Sequence, residues 1–406
     1  MPLARVLPAL VFHFMNAAGT FAQHFTQLFE EDSLADSSLS ERRSRLPWEV
    51  FTELMRLGLR PLAQAAAHPD AFWRGWRLVA LDGTQFSLTN TPQIKATARK
   101  ARSRRGRAAF AKLTTGVLLE LGLHHPLAAA IGRGGQSEGA LVLELLAQLP
   151  ARALLLADRL HGCAAFVAAA LGACEQVGSH FLIRARTNIR VQTVRRFQDG
   201  SRLVRLPVRQ KGRPRVIEPW IEVREIRVRV QRPGHRAQAL RLWTSLRDPK
   251  SAPAQELIEL YAWRWEHELY YRELKRQLRK SEVLQSHTVE TGAQEIAAVV
   301  LASALLARER ARAAAGEVPV LRISFIKTLE LLRPLWLTLA IGGELLSRRQ
   351  KAHLTEKFLA FAGRWCVTRR RKRPRSCPRA VRQPVSGWPR LRRNQSWEGP
   401  VHFKLL

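Results

Sequence analysis

Cysteine is scarce in this chain: there are four, Cys163, Cys174, Cys366 and Cys377. They form no CxxC pair and have no histidine at zinc-binding spacing, so they argue against a zinc module or disulfide framework and suit a reducing cytosol. Long apolar runs are also missing. No stretch reaches the roughly 18 apolar residues of a membrane span. The longest candidate, Ile296 to Ala307, contains Ser303 and reads as a buried core helix. Val6 to Ala18 has the look of an apolar signal segment behind Arg5, but His13 and Asn16 interrupt it, and export is not expected. Negative charge is the third shortage, with 33 Asp and Glu against 67 Lys and Arg, a formal +34. That excess is the electrostatic footprint of a polyanion binder and makes a membrane surface the weaker alternative. No internal repeat is present.

The stretch Tyr261 to Lys280, YAWRWEHELYYRELKRQLRK, has no Pro or Gly and is rich in Glu, Leu, Arg and Lys, so propensity predicts a helix. Ser251 and Pro253 suit its start. At about 100° per residue, Arg264, Glu268 and Lys275 fall within roughly 60° of Tyr261, with Arg272 and Arg279 on or next to the same face. A solvated face with ion pairs is the bland explanation. Trp263, Trp265, Tyr270 and Tyr271 interleave with the charges, however, and aromatic bulk beside cations suits a surface that packs on a core and grips a polyanion.

Residues 1–75 read as helical, with caps in Ser37 to Ser44 and an amphipathic continuation from Pro47. From residue 76 strands and helices alternate. Trp76 to Leu88 reads as strand, turn and strand. Lys95 to Lys112 is a basic loop suited to phosphate contact, and Leu113 to Ile131 is a hairpin turning at His124-His125-Pro126. Ser137-Glu138 caps a helix, Ala151 to Asp158 is a buried strand, a helix spans about 163–174, and His180 to Ala185 is another strand. Residues 187–247 change to an antiparallel β pattern, helices resume over 248–365, and 366–406 is a basic, Pro- and Ser-rich tail expected to be disordered. The fold class is α/β: a mixed sheet flanked by helices, with an inserted β region between two parts of the core.

Asp82 and Asp158 each close a buried apolar run, at the strand edge where α/β sites assemble. Singly, each has a bland explanation: an Asx-turn of Asp82 with Gly83, or a local pair of Asp158 with Arg159. Together with Glu268 in a cationic row, three carboxylates on a basic protein make sense as holders of Mg²⁺, with Mn²⁺ able to substitute. Two such ions about 4 Å apart serve an in-line phosphodiester displacement.

The spacing Tyr261-x2-Arg264-x3-Glu268-x6-Lys275 resembles the Tyr-Arg-Glu-Lys signature of bacterial insertion-sequence transposases of the DDE class, insertion-sequence family four. LVALDGTQFSL and LLLADRLHG are similar to that family's two aspartate segments, and LRDPKSAPAQELIELYAWRW to the lead-in to its glutamate helix. The likeness covers roughly residues 76–290. It implies a ribonuclease-H-like core with a β-rich insertion, and Asp82, Asp158 and Glu268 as a catalytic, metal-binding triad. By the same resemblance Tyr261, Arg264 and Lys275, with Arg272 beside them, contact double-stranded DNA at the transposon end. The family's first domain binds DNA ends, which puts that role in 1–75, where no recognition helix is legible. His161-Gly162 departs from the aromatic that many relatives carry there.

The implied protein is a cytoplasmic, nucleoid-associated transposase. It synapses the inverted-repeat ends of its own element as a homodimer, cuts them through a DNA hairpin and joins them to target DNA, with no membrane partner. Three other readings stand beside it: a catalytically silent repressor of transposase descent, a basic nuclease without end specificity, and a structural RNA-coating protein.

Overall fold

The computed structural model describes residues 3–16, 18–29, 35–100, 102–103, 106–210, 213–231, 237–279, 281, 283–343, 345–368 and 402–405. In chain order the strands are β1 (Phe72–Trp73), β2 (Trp76–Ser87), β3 (Arg102–Ser103), β4 (Gly106–Arg107), β5 (Lys112–Glu120), β6 (His125–Ile131), β7 (Ala153–Ala157), β8 (His180–Arg184), β9 (Gln192–Arg196), β10 (Arg202–Gln210), β11 (Arg213–Gln231), β12 (Gln238–Thr244) and β13 (His402–Leu405). Eleven of them form one mixed sheet in the order β6-β5-β2-β7-β8-β12-β11-β10-β9, with β1 on β2 and β13 on β11. β2, β7 and β8 are parallel, and β5–β6 and the ladder from β8 to β9 are antiparallel. This is the α/β class expected from the sequence, a mixed sheet flanked by helices.

By compactness the chain divides into two units. Unit 1 comprises Met1–Arg74, Asp82–Gln148 and Glu268–Arg369. Its axis is the helix Val289–Ala314, which packs on Leu3–Met15, Trp48–Gly58, Phe325–Ile341, Arg348–Trp365 and β6. This is the one described helix long and apolar enough to cross a membrane, and most of its apolar window is buried inside the protein. A reciprocal Thr288–Thr291 capping box starts it. Buried charge fixes the same end. Arg43 donates to Gln294 Oε1 (3.2 Å), Ser286 Oγ (3.1 Å) and Thr291 O (2.5 Å). Glu295 accepts from Arg279 (2.6 Å) and from Ser286 Oγ (2.7 Å). On the sheet, the helix Glu138–Leu145 covers β5 and β6, its first turn capped by Ser137.

Unit 2 comprises Gly75–Leu81, Leu149–His267 and Arg370–Leu406. All five residues of β7, ALLLA, are buried, as an inner parallel strand covered on both faces requires. The helix Ala164–Gln176 covers β8 and β10. The antiparallel strands over 192–244 are organised by Glu225, whose fully buried carboxylate accepts from Arg202 (2.5 Å), Arg227 (2.8 Å), Arg241 and Trp243 Nε1 (3.0 Å). A second buried tie joins Arg224 to Asp199, Ser201 Oγ and the Ala252 carbonyl.

Three local expectations change. Trp76–Ser87 is one strand, because Asp82-Gly83 ends only its pairing with β7, whose last matched pair is Leu81↔Ala157. Pro126 lies inside β6 opposite Leu119. The turn is made before it, by His124 in the left-handed region at φ 53°. In the tail, residues 402–405 are not disordered but form an edge strand on β11, where Val228 pairs with Leu405. Cys377 and tail residues 369–401 lie outside the described residues, as do Lys280 and the side chains of 101–107 in the basic stretch.

Glu225 also sets a pH dependence. Burial alone would raise its carboxyl, but the hydrogen bonds from Trp243, Arg202 and Arg241 outweigh burial and hold it below the ordinary value of 4.5. Its contribution is therefore full above pH 4.5 and is lost as pH falls through the lower folded value. We expect acid unfolding that Glu225→Gln largely removes. The same change should cost about 3–5 kcal/mol at neutral pH, read by urea denaturation, because it removes the buried charge on which three arginines and Trp243 converge.

Candidate active site

Two aspartates succeed one register pair. Leu81 and Ala157 are the last matched residues of the parallel pair β2–β7, and Asp82 and Asp158 are the next residues of their chains. Buried leucines precede both, so each half-buried carboxylate follows a buried apolar run, just past the last matched pair of β2 and β7.

The stretch from Ala254 onward is helical throughout but not one α-helix. It runs as α over Ala254–Tyr261, 3₁₀ over Ala262–Arg264, α over Trp265–Arg272 and π over Glu273–Leu278. The 3₁₀ turn eclipses residues three apart, which brings Tyr261 and Arg264 onto one line. In the π segment the Arg279 N–H reaches the Leu274 carbonyl at 3.1 Å, so a regular wheel misplaces the residues after Arg272. Tertiary partners accompany the widened turn. Glu273 Oε2 lies 2.7 Å from His124 Nδ1 and 3.7 Å from Arg310, and Lys275 donates to Gln85 O at 2.7 Å with its ammonium over the Phe86 ring.

Two tyrosines of this stretch end on backbone carbonyls of the sheet. In unit 2 the buried Tyr261 donates to Ala157 O (3.2 Å), the residue before Asp158. In unit 1 the buried Tyr271 donates to Asp82 O itself (2.7 Å). Burial first, then the charges of Asp82, Tyr270 and Glu138, push the Tyr271 phenol well above its usual range, so it stays a neutral donor. Glu268 lies three residues before Tyr271 and thus on the neighbouring turn of the same side of the helix. It is half-buried, while Arg272 is exposed and Arg264 stacks 5.8 Å over Trp265.

In unit 2 the Asp158 loop is tightly built. Asp158 Oδ1 accepts the Leu160 N–H (2.6 Å), and the His161 N–H bonds to Asp158 O (3.2 Å). Arg186 clamps the loop, its side chain donating to Arg159 O and Leu160 O and its N–H to Gly162 O (2.9 Å). Gly162 is obligatory here: a Cβ would lie 2.0 Å from the Arg184 carbonyl. Burial lowers the His161 pKa; Asp158 opposes that shift and Arg186 reinforces it. The loop borders a cleft of about 400 Å³ lined by Asp158, Arg159 and Arg186. A second cleft, of about 260 Å³, is lined by Arg159, Arg184, Arg227 and Arg241. Burial chiefly lowers the Arg184 pKa, and Tyr261 and Asp158 counter it.

In unit 1, Asp82 has a carboxylate neighbour. Asp82 Oδ1 accepts the Gly83 N–H (2.9 Å), and Asp82 and Glu138 offer oxygen atoms within 4.8 Å of each other. Hard, anionic oxygen donors of this kind suit a divalent cation such as Mg²⁺. Glu138 was legible in the sequence only as part of a helix cap, and Tyr271 and Arg186 only as an aromatic and one more cation. Their partners are distant in sequence, and no spacing rule reports that.

Comparison with known proteins gives three findings. The family model described as a transposase DDE domain matches residues 73–305, more than half of the 406. The transposase InsG for insertion sequence element IS4 of Escherichia coli strain K12 is 28% identical over 273 residues. The match covers 66% of this chain and 60% of that protein, so the chain spans less than two thirds of the relative's length. A cryo-EM structure of a piggyBac transposase synaptic complex with hairpin DNA is similar at a TM-score of 0.43 and 9% identity, over 95% of this chain and 78% of that one; this likeness is too remote to carry an argument.

Tyr271→Phe removes the hydroxyl that donates to Asp82 O, and we expect a loss of about 1 kcal/mol in urea denaturation. Gly162→Ala forces the Asp158 loop off Arg184. A cost of about 1–3 kcal/mol, with faster proteolysis around residue 160, is the expected result.

Proposed function

Since the chain belongs to the family of transposase DDE domains, we propose that it is a DNA transposase. It cuts strands at the inverted-repeat ends of its own insertion sequence and joins the freed 3′-hydroxyl to target DNA. The observation that carries this reading is the shared register of the aspartates: Asp82 and Asp158 come directly after the matched pair Leu81↔Ala157, and the glutamate-bearing helix is bonded to Ala157 O through Tyr261 and to Asp82 O through Tyr271.

On this reading Asp82, Asp158 and Glu268 hold a divalent cation, Mg²⁺ or Mn²⁺. When bound, it supplies Lewis-acid activation of the attacking oxygen and neutralises charge on the leaving oxygen. The chain's own groups do the rest. Arg264 and Arg272 bind the phosphate backbone, as do the arginines beside Asp158. Tyr261 contacts the transposon end beside them, and its hydroxyl, donating to Ala157 O, also sets the helix. Lys275 likewise braces the helix on Gln85 while adding positive charge. The surplus of 67 cationic over 33 anionic residues serves binding to double-stranded DNA, both ends and target.

The finer steps belong to the same proposal. The helical region 1–75 binds the transposon ends, the inserted β region and the C-terminal helices complete the core, and two copies synapse as a homodimer on nucleoid DNA. Excision proceeds through a DNA hairpin. Labelled ends that yield no hairpin product would remove that last step.

The deciding assay is strand cleavage of labelled DNA carrying the gene's own flanks, with Mg²⁺. We expect nicking at the repeat boundary that falls about 1,000-fold or more in Asp82→Asn, Asp158→Asn and Glu268→Gln, with DNA binding retained. Binding without cutting by the wild type would instead assign a silent, end-masking repressor.

A further inference from the structure

We infer that Glu138 is a fourth carboxylate of the metal centre proposed above, ligating the same divalent cation as Asp82; the inference rests on that reading of Asp82. Glu138 is the first residue of the helix Glu138–Leu145, and the Ser137 cap fixes its backbone by accepting the Ala140 N–H at 3.3 Å. Its side chain is laid onto β2 at Gly83. A Cβ on Gly83 would fall 2.2 Å from Glu138 Cγ, 2.4 Å from Cδ and 2.8 Å from Oε1. The strand therefore lacks a side chain just where this carboxylate crosses it. The result is a pair of carboxylates, half-buried and within 4.8 Å oxygen to oxygen. Two ligands of one Mg²⁺ are separated by at most about 4.2 Å, so small side-chain rotations bring both to one ion.

Two half-buried carboxylates this close repel each other when both are ionised, and a shared cation relieves that repulsion whatever else each side chain touches. The alternative is that Glu138 only complements the positive end of its own helix. That role needs no particular partner on β2, and it predicts no effect on metal affinity.

The test uses the full-length chain without DNA, titrated with Mn²⁺ and read by the electron paramagnetic resonance signal of the free ion. Wild type, Glu138→Gln, Asp82→Asn and Glu144→Gln are compared; Glu144 is an exposed acid on the same helix and controls for net charge. We expect Glu138→Gln and Asp82→Asn each to raise the Mn²⁺ dissociation constant about 10-fold to 100-fold, with Glu144→Gln unchanged. Wild-type affinity in Glu138→Gln, with weakened binding in Asp82→Asn, overturns the inference and leaves Asp82 as a ligand. Wild-type affinity in both, or no saturable binding by the wild type, overturns the metal reading of Asp82 and the inference with it. Equal weakening by Glu144→Gln and Glu138→Gln reduces the effect to a field and also overturns it. A second readout needs no variant: Fe²⁺ with peroxide should cut the wild-type backbone near both 82–83 and 137–139. Cuts at the first position without the second contradict ligation by Glu138.

Discussion

Two phenol hydroxyls on two backbone carbonyls are the contacts on which the rest of the site depends. Tyr261 donates to Ala157 O and Tyr271 to Asp82 O, and both side chains are buried. A buried hydroxyl without an acceptor is costly, so each phenol specifies one place for its helix to dock. Glu268 stands between these two tyrosines in sequence. In unit 1 the π turn over Glu273–Leu278 accompanies the contact of Lys275 with Gln85.

Scarcity of acid shapes the remainder. With twice as many cations as anions, a buried carboxylate can serve as a counter-charge for several arginines at once, as Glu225 does for Arg202, Arg227 and Arg241. Glu295 plays that part for Arg279, and Asp199 for Arg224. Such acids hold the scaffold. Asp82 and Glu138 lie close to each other, and both raise the pKa of the Tyr271 phenol. On the proposed reading, a basic DNA-binding surface and an oxygen-rich cation site coexist by dividing the acids between two tasks.

Much of this was legible in the sequence, and the physical reason differs by element. The run ALLLAD announces an inner parallel strand ending on an acid because burial on both faces leaves no polar alternation. Tyr261, Arg264 and Glu268 are legible because fixed spacing on a helix survives a single 3₁₀ turn. Lys275 is legible by family spacing but not by the wheel, since the π turn alters the phase before it. The continuity of β2 through Asp82-Gly83 was hidden, because a local turn signal outweighs neighbours on adjacent strands that sequence does not show. Glu138 was hidden most completely: its cap role is local, whereas its contact with Gly83 spans 55 residues. The edge strand His402–Leu405 could not be read from a basic, Pro-rich tail, since only its partner β11 makes it a strand.

On the proposed reading, Asp82, Asp158 and the helix glutamate Glu268 converge on one divalent cation, and everything else about the chemistry depends on that convergence. The most direct measurement is an anomalous difference map from crystals of the full chain soaked in Mn²⁺. The expected result is a peak within ligand distance, about 2.0–2.6 Å, of carboxylate oxygens of Asp82, Asp158 and Glu268. A well-ordered map with Mn²⁺ held elsewhere, or by Asp82 without either of the other two, would contradict it.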